Sequence, residues 1–131
     1  MTFPALAHVA VTVRDLAVSG PWYRTLFGAD PVLDEDTDAG FHHLVWLLDN
    51  GTLFGIHQHR DPAPDERFSE FRVGLDHVGF GCASRADLQT WVDKLDGLGI
   101  AHGGIVDAPY GSGLSFRDPD GIALEFFAPP E

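Results

Sequence analysis

The 131-residue chain carries 20 acidic residues against 8 Lys and Arg, a formal charge of −12, and 44% of its residues are hydrophobic. This is the composition of one ordinary globular domain; it excludes a disordered chain, and it excludes a nucleic-acid surface, which needs clustered cations. Apolar runs such as Leu44–Leu48 are too short to span a bilayer, and the single cysteine, Cys82, forms no internal disulfide, so a cytoplasmic protein that binds neither nucleic acid nor membrane is expected.

The first predicted element is a strand at Leu6–Val13, marked by alternation and β-branching, followed by a helix to Phe27 that carries Trp22 and Tyr23. Three short strands are predicted near Pro31–Asp36, Phe41–Leu48 and Thr52–His59, the last two joined by the hairpin signal Asp49-Asn50-Gly51. The polar, proline-bearing stretch Arg60–Arg67 reads as a linker. A strand is then predicted at Gly74–Gly81, with His77 set into it, and Ser84 and Asp87 form a capping-box pattern ahead of a helix that stops at Gly97 or Gly99. Strands near His102–Asp107, Gly113–Phe116 and Ile122–Phe127 complete the series, the last two joined by Asp118-Pro119-Asp120-Gly121.

These elements form a repeat. A shift of 69 (77 − 8) carries His8 to His77, Trp22 to Trp91, Leu26 to Leu95 and Gly28 to Gly97. The predicted fold is therefore α+β: two tandem βαβββ modules, about residues 5–60 and 73–129, joined by a linker at about 61–72 within a single domain of residues 1–131.

Strand alternation gives the side chains their direction. Val9, Val11 and Val13 form the helix-packed face of the first strand, which leaves His8 and Thr12 on the other. By the same alternation His77 lies with Gly79 and Gly81, His57 and His59 lie with Gly55, and Glu125 and Phe127 lie with Ala123, each away from the helix-packed face. The first strands thus supply His8 and His77 and the last strands His57 and Glu125, and an approximate two-fold relation between modules would gather the four around a cavity. Imidazoles with a carboxylate suit Zn, Ni, Fe, Co or Mn, so one divalent metal ion is the expected cofactor. Tyr110-Gly111-Ser112-Gly113 reads as a loop at the cavity mouth and His59 as a substrate contact; of the adjacent His42 and His43 only one can face the cavity, and both read as structural.

The runs His8–Leu16 with Trp22-Tyr23, Leu75–Val78 and Phe116–Phe126 resemble the vicinal oxygen chelate superfamily, which includes glyoxalase I, extradiol dioxygenases, fosfomycin-resistance enzymes and bleomycin-resistance proteins. The resemblance implies that the eight strands form a curled mixed sheet around a metal-binding cavity, commonly in a homodimer. It places His8, His57, His77 and Glu125 at the ligand positions of glyoxalase-like members, where the place of His57 is typically taken by a glutamate. Three imidazoles and one carboxylate make a more electrophilic centre than two carboxylates would. At the positions where glyoxalase I typically holds glutathione with an arginine and an asparagine, this chain has Thr12 and Asp61. An anionic Asp61 would repel the carboxylates of glutathione, and the substrate contacts expected here are Thr12, His59, Tyr110 and Phe127.

Three classes of function follow. A lyase or isomerase of glyoxalase-like type would act on a small-molecule substrate that chelates the metal through two vicinal oxygens, with Glu125, or a loosely held His57, as catalytic base. An Fe(II) extradiol-type dioxygenase would use His8, His77 and Glu125 as a two-histidine, one-carboxylate face, with His57 off the metal. A non-catalytic protein that sequesters an antibiotic or metabolite would suit the −12 charge if the ligand were cationic, but such members generally lack the ligands retained here. The first class is the expectation.

Overall fold

The computed structural model describes residues 2–62 and 66–131; Met1 and Ala63–Asp65, the latter within the expected linker, lie outside the described residues. The chain divides into two compact units, Met1–Glu66 and Arg67–Glu131. The eight strands divide with it, four to each unit, as two mixed sheets with one helix apiece. No described helix is long and apolar enough to cross a membrane.

In the first unit, β1 (His8–Thr12), α1 (Leu16–Phe27), β2 (Leu33–Asp36), β3 (Phe41–Leu47) and β4 (Leu53–His59) give the sheet order β1-β4-β3-β2, with β1 parallel to β4 and the other pairs antiparallel. Asp15 starts α1 by accepting the Ala17 N–H at 2.9 Å, and Gly28 ends it in the left-handed region at φ 67, where a side chain would be strained. Period-two burial of Val11, Leu44, Trp46, Phe54 and Ile56 against Tyr23 and Leu26 of α1 forms the core. The edge strand β2 is exposed throughout and carries three acids, which blocks edge-to-edge pairing.

In the second unit, β5 (Val78–Gly81), α2 (Arg85–Gly97), β6 (His102–Ala108), β7 (Gly111–Arg117) and β8 (Ala123–Ala128) repeat the order as β5-β8-β7-β6. Ser84 caps α2 through the Asp87 N–H, as its sequence pattern predicts. Leu114, Phe116, Leu124 and Phe126 are buried together with Leu88 and Leu95 of α2, and Trp91 stacks on Phe126 at 4.0 Å. The repeat extends to the packing: Ser19 and Leu88, and Leu26 and Leu95, are buried pairs each 69 apart (88 − 19, 95 − 26). One element is shorter than expected. Gly74, at φ 145, turns the chain, and the ladder with β8 begins only at Val78↔Leu124, so His77 precedes β5 instead of lying within it.

Candidate metal centre

On the face of the first sheet turned away from its helix, Glu35, His43, His57 and Thr12 stand in one cross-strand row, because Glu35↔His43, His43↔His57 and Thr12↔His57 are register partners. Phe41 stacks flat on His57 with ring centroids 4.1 Å apart, and the His43 and His59 rings lie 5.5 Å and 6.2 Å from it. His8 and Thr12 are exposed at opposite ends of β1. Burial first, and then the neighbouring His43, His59 and His8 imidazoles, push the His57 pKa below its ordinary value. A neutral ring is the form that can donate to a metal.

The register changes one expected equivalence. Since His8 corresponds to His77, the pair Val9↔Phe54 corresponds to Val78↔Leu124, and Gly55 therefore stands where Glu125 stands in the second module. His57 corresponds instead to Phe127, one pleat further along. The His57 ring nevertheless leans back, with Nε2 3.6 Å from the point a Cβ on Gly55 would occupy, a span that a glutamate carboxylate also covers from its own Cβ. The first module thus presents an imidazole nitrogen where the second presents a carboxylate oxygen.

In the second unit the half-buried Glu125 makes no hydrogen bond or ion pair among the described residues. Its carboxylate lies over glycines: a Cβ on Gly113 would stand 3.1 Å from Oε2, and one on Gly79 4.0 Å from Oε1. His77 is exposed, and its Nδ1 lies 2.7 Å from Asp76 Oδ1. An ionised carboxylate can only accept, so Nδ1 carries a proton, and in the neutral ring the lone pair is then on Nε2, the arrangement by which a carboxylate orients a metal-ligating histidine. Phe127 faces the same way as Glu125 and is stacked by the exposed Tyr110 at 6.5 Å.

Tested against a divalent ion, the donors fit in kind: the imidazoles of His57 and His77 and, among the described residues, the unpartnered Glu125 carboxylate. Among the described residues no three of His, Cys, Asp and Glu are gathered closely enough to hold an ion; His8 and His57 belong to one unit, His77 and Glu125 to the other. One residue that sequence reasoning set aside also stands on the candidate face. His43 lies directly across from His57 and is held by Glu35 at 3.1 Å, whereas His42 points the opposite way, between Asp34 and Asp36. The alternation of β3 contains the signal, because buried Leu44 and Trp46 fix the parity that sends His43 to the other face.

The chain belongs to the glyoxalase/bleomycin resistance protein/dioxygenase superfamily, whose model matches residues 5–126. It is similar to a glyoxylase/bleomycin resistance protein/dioxygenase domain from Frankia sp. EAN1pec, at 32% identity over 99% of this chain and 95% of that one, with a TM-score of 0.86. It shares its fold with a glyoxalase family protein from Enterococcus faecalis (20% identity, 97% and 99% covered, TM-score 0.75). It shares it too with the fosfomycin resistance protein FosX from Listeria monocytogenes, of which one variant is complexed with Mn(II) and a dihydroxypropylphosphonic acid (17% identity, 96% and 93% covered, TM-score 0.69). No curated protein matches the chain.

Proposed function

We propose that the chain is a divalent-metal-dependent enzyme of the glyoxalase-like type, a lyase or isomerase acting on a small substrate with two neighbouring oxygens. The observation that carries this reading is Glu125, a half-buried carboxylate with no partner among the described residues, set on a glycine-paved strand surface. The proposed donors are His8, His57, His77 and Glu125, and the ion, of the Zn, Ni, Fe, Co or Mn group, would polarise the substrate oxygens and stabilise the negative charge that develops on them. Glu125, once released from the ion, would take the proton from the carbon that bears the substrate hydroxyl and return it to the neighbouring carbonyl carbon, while the hydroxyl proton passes to the former carbonyl oxygen. Asp76 keeps the His77 proton on Nδ1. Thr12, His59, Tyr110 and Phe127 are the proposed substrate contacts. Oxygen-independent turnover of a 2-oxoaldehyde thiol adduct by protein loaded with Ni(II), Co(II) or Zn, lost in Glu125→Gln, is the expected result; no turnover with any of these ions would overturn it.

A second reading is favoured by one observation, the displacement of His57 by a pleat from the position equivalent to Glu125. If His57 does not donate, His8, His77 and Glu125 make a two-histidine, one-carboxylate face, and the reaction class becomes the Fe(II) dioxygenases. Oxygen uptake coupled to cleavage of a vicinal-diol aromatic would establish it. A homodimer is also proposed, on the strength of the superfamily's common habit; light scattering that gave only the 14.3 kDa monomer mass would contradict it.

A further inference from the structure

The turn between β2 and β3 and the end of β4 border a cleft of roughly 180 Å³, open to solvent, whose walls include Asp36, Gly40, Phe41, His42, His59 and Arg60. Arg60 sets it apart. Acids outnumber Lys and Arg 20 to 8 in this chain, and other arginines are matched accordingly: Arg24 with Asp30 and Asp34, Arg85 with Asp107, Arg117 with Glu70. Arg60 has no ion pair or side-chain hydrogen bond among the described residues. Its guanidinium lies across Gly40, where a Cβ would come within 3.2 Å of Nη2. Gly40, at φ 97, serves the turn and leaves that space clear.

The acids beside Arg60 are engaged elsewhere. Asp36 and Asp34 hold His42 between them at 2.9 Å and 2.6 Å, and both raise its pKa. Phe41 also lines the cleft, its ring 5.6 Å from the His59 ring and stacked on His57.

We infer that this cleft binds the carboxylate of a small organic acid, with the Arg60 guanidinium as anchor and the Phe41 ring against the acid's apolar body. A planar monoanion matches the guanidinium fork with two parallel hydrogen bonds. A phosphate dianion would meet Asp36 and the −12 field of the protein with twice the charge. The site is independent of the metal reading, since none of its anchoring contacts uses a proposed metal donor.

The test titrates the whole protein, stripped of metal over a chelating resin and held at low ionic strength, with benzoate, its uncharged amide benzamide, and inorganic phosphate, following amide shifts of Gly40, Phe41, His59 and Arg60. Benzoate is expected to give saturable shifts confined to these residues. Its affinity should exceed that of benzamide and of phosphate by about tenfold or more and fall by about the same factor in Arg60→Gln, with Arg60→Lys intermediate. Benzoate binding unchanged in Arg60→Gln, absence of saturable shifts, or tighter binding of phosphate would each overturn the inference. The resin removes metal from every arm, so this outcome is separate from the fate of the proposed enzyme.

Discussion

His57 and Gly55 together occupy a place that one residue fills in the second module: the imidazole Nε2 stands 3.6 Å from the Cβ position of Gly55, the position that corresponds to Glu125 by strand register. If that nitrogen substitutes for a carboxylate, the exchange should be reversible. His57→Ala is expected to weaken metal binding by at least about tenfold, and His57→Ala with Gly55→Glu to recover most of it. A competition titration against a chromophoric chelator reads both, and equal affinities for the single and double variants would remove the equivalence.

Asp76 holds the His77 ring. With Nδ1 held by a carboxylate at 2.7 Å, the neutral ring favours the tautomer that leaves Nε2 free. Asp76→Asn should lower metal affinity by about 10- to 100-fold while the circular dichroism spectrum stays that of the parent. Unchanged affinity would show that His77 needs no such help.

Gly111 tests the packing beneath the Tyr110 turn. A Cβ there would fall 2.3 Å from Phe127 Cζ and 2.5 Å from the Ala128 carbonyl oxygen, at a φ of 143 that L side chains rarely adopt. Gly111→Ala is expected to destabilise by about 3 kcal/mol, from overpacking and backbone strain together. Gly97→Ala, with nothing within 4 Å of the new atom, should stay within about 1 kcal/mol of the parent. Urea denaturation of both variants provides the comparison.

The Asp34–His42–Asp36 bridge carries a pH dependence. Hydrogen bonds to Asp34 and then Asp36 raise the folded pKa of His42 above its ordinary 6.5. Its contribution to stability is therefore complete below the unfolded value and is lost as pH rises through the folded one. The stability difference between the parent and His42→Gln should be larger at about pH 5.5 than at about pH 8.5, and a histidine titration by NMR should place His42 above 6.5. A difference that grew with pH would contradict the bridge.

Much of this architecture is legible in the sequence because it follows from local rules. Val9, Val11 and Val13 alternate, Ser84 and Asp87 cap a helix, and Gly51 and Gly121 mark the two hairpins at positive φ. Register is not local, and there the reading slipped. Matching His57 to Glu125 by chemical kind implies a shift of 68 (125 − 57), but counting from the turn glycines implies 70 (121 − 51), which leads from Glu125 to Gly55. Side-chain lean hid the difference, since a long imidazole can reach back across one pleat. The placement of His43 is hidden for a similar reason: its partner Glu35 lies on another strand, 8 residues away, and only the pairing of β2 with β3 brings them to 3.1 Å.

The central claim, that this chain is a metal enzyme through His8, His57, His77 and Glu125, is tested most directly by elemental analysis of the purified protein beside His77→Ala. His77 is exposed and lies outside the helix-packed core, so the variant should fold. The account predicts one divalent ion per chain in the parent and its loss in the variant, with unchanged circular dichroism. Full metal occupancy in folded His77→Ala, or a parent protein that stays metal-free even after exposure to Zn, Ni, Co, Mn and Fe(II), would contradict it.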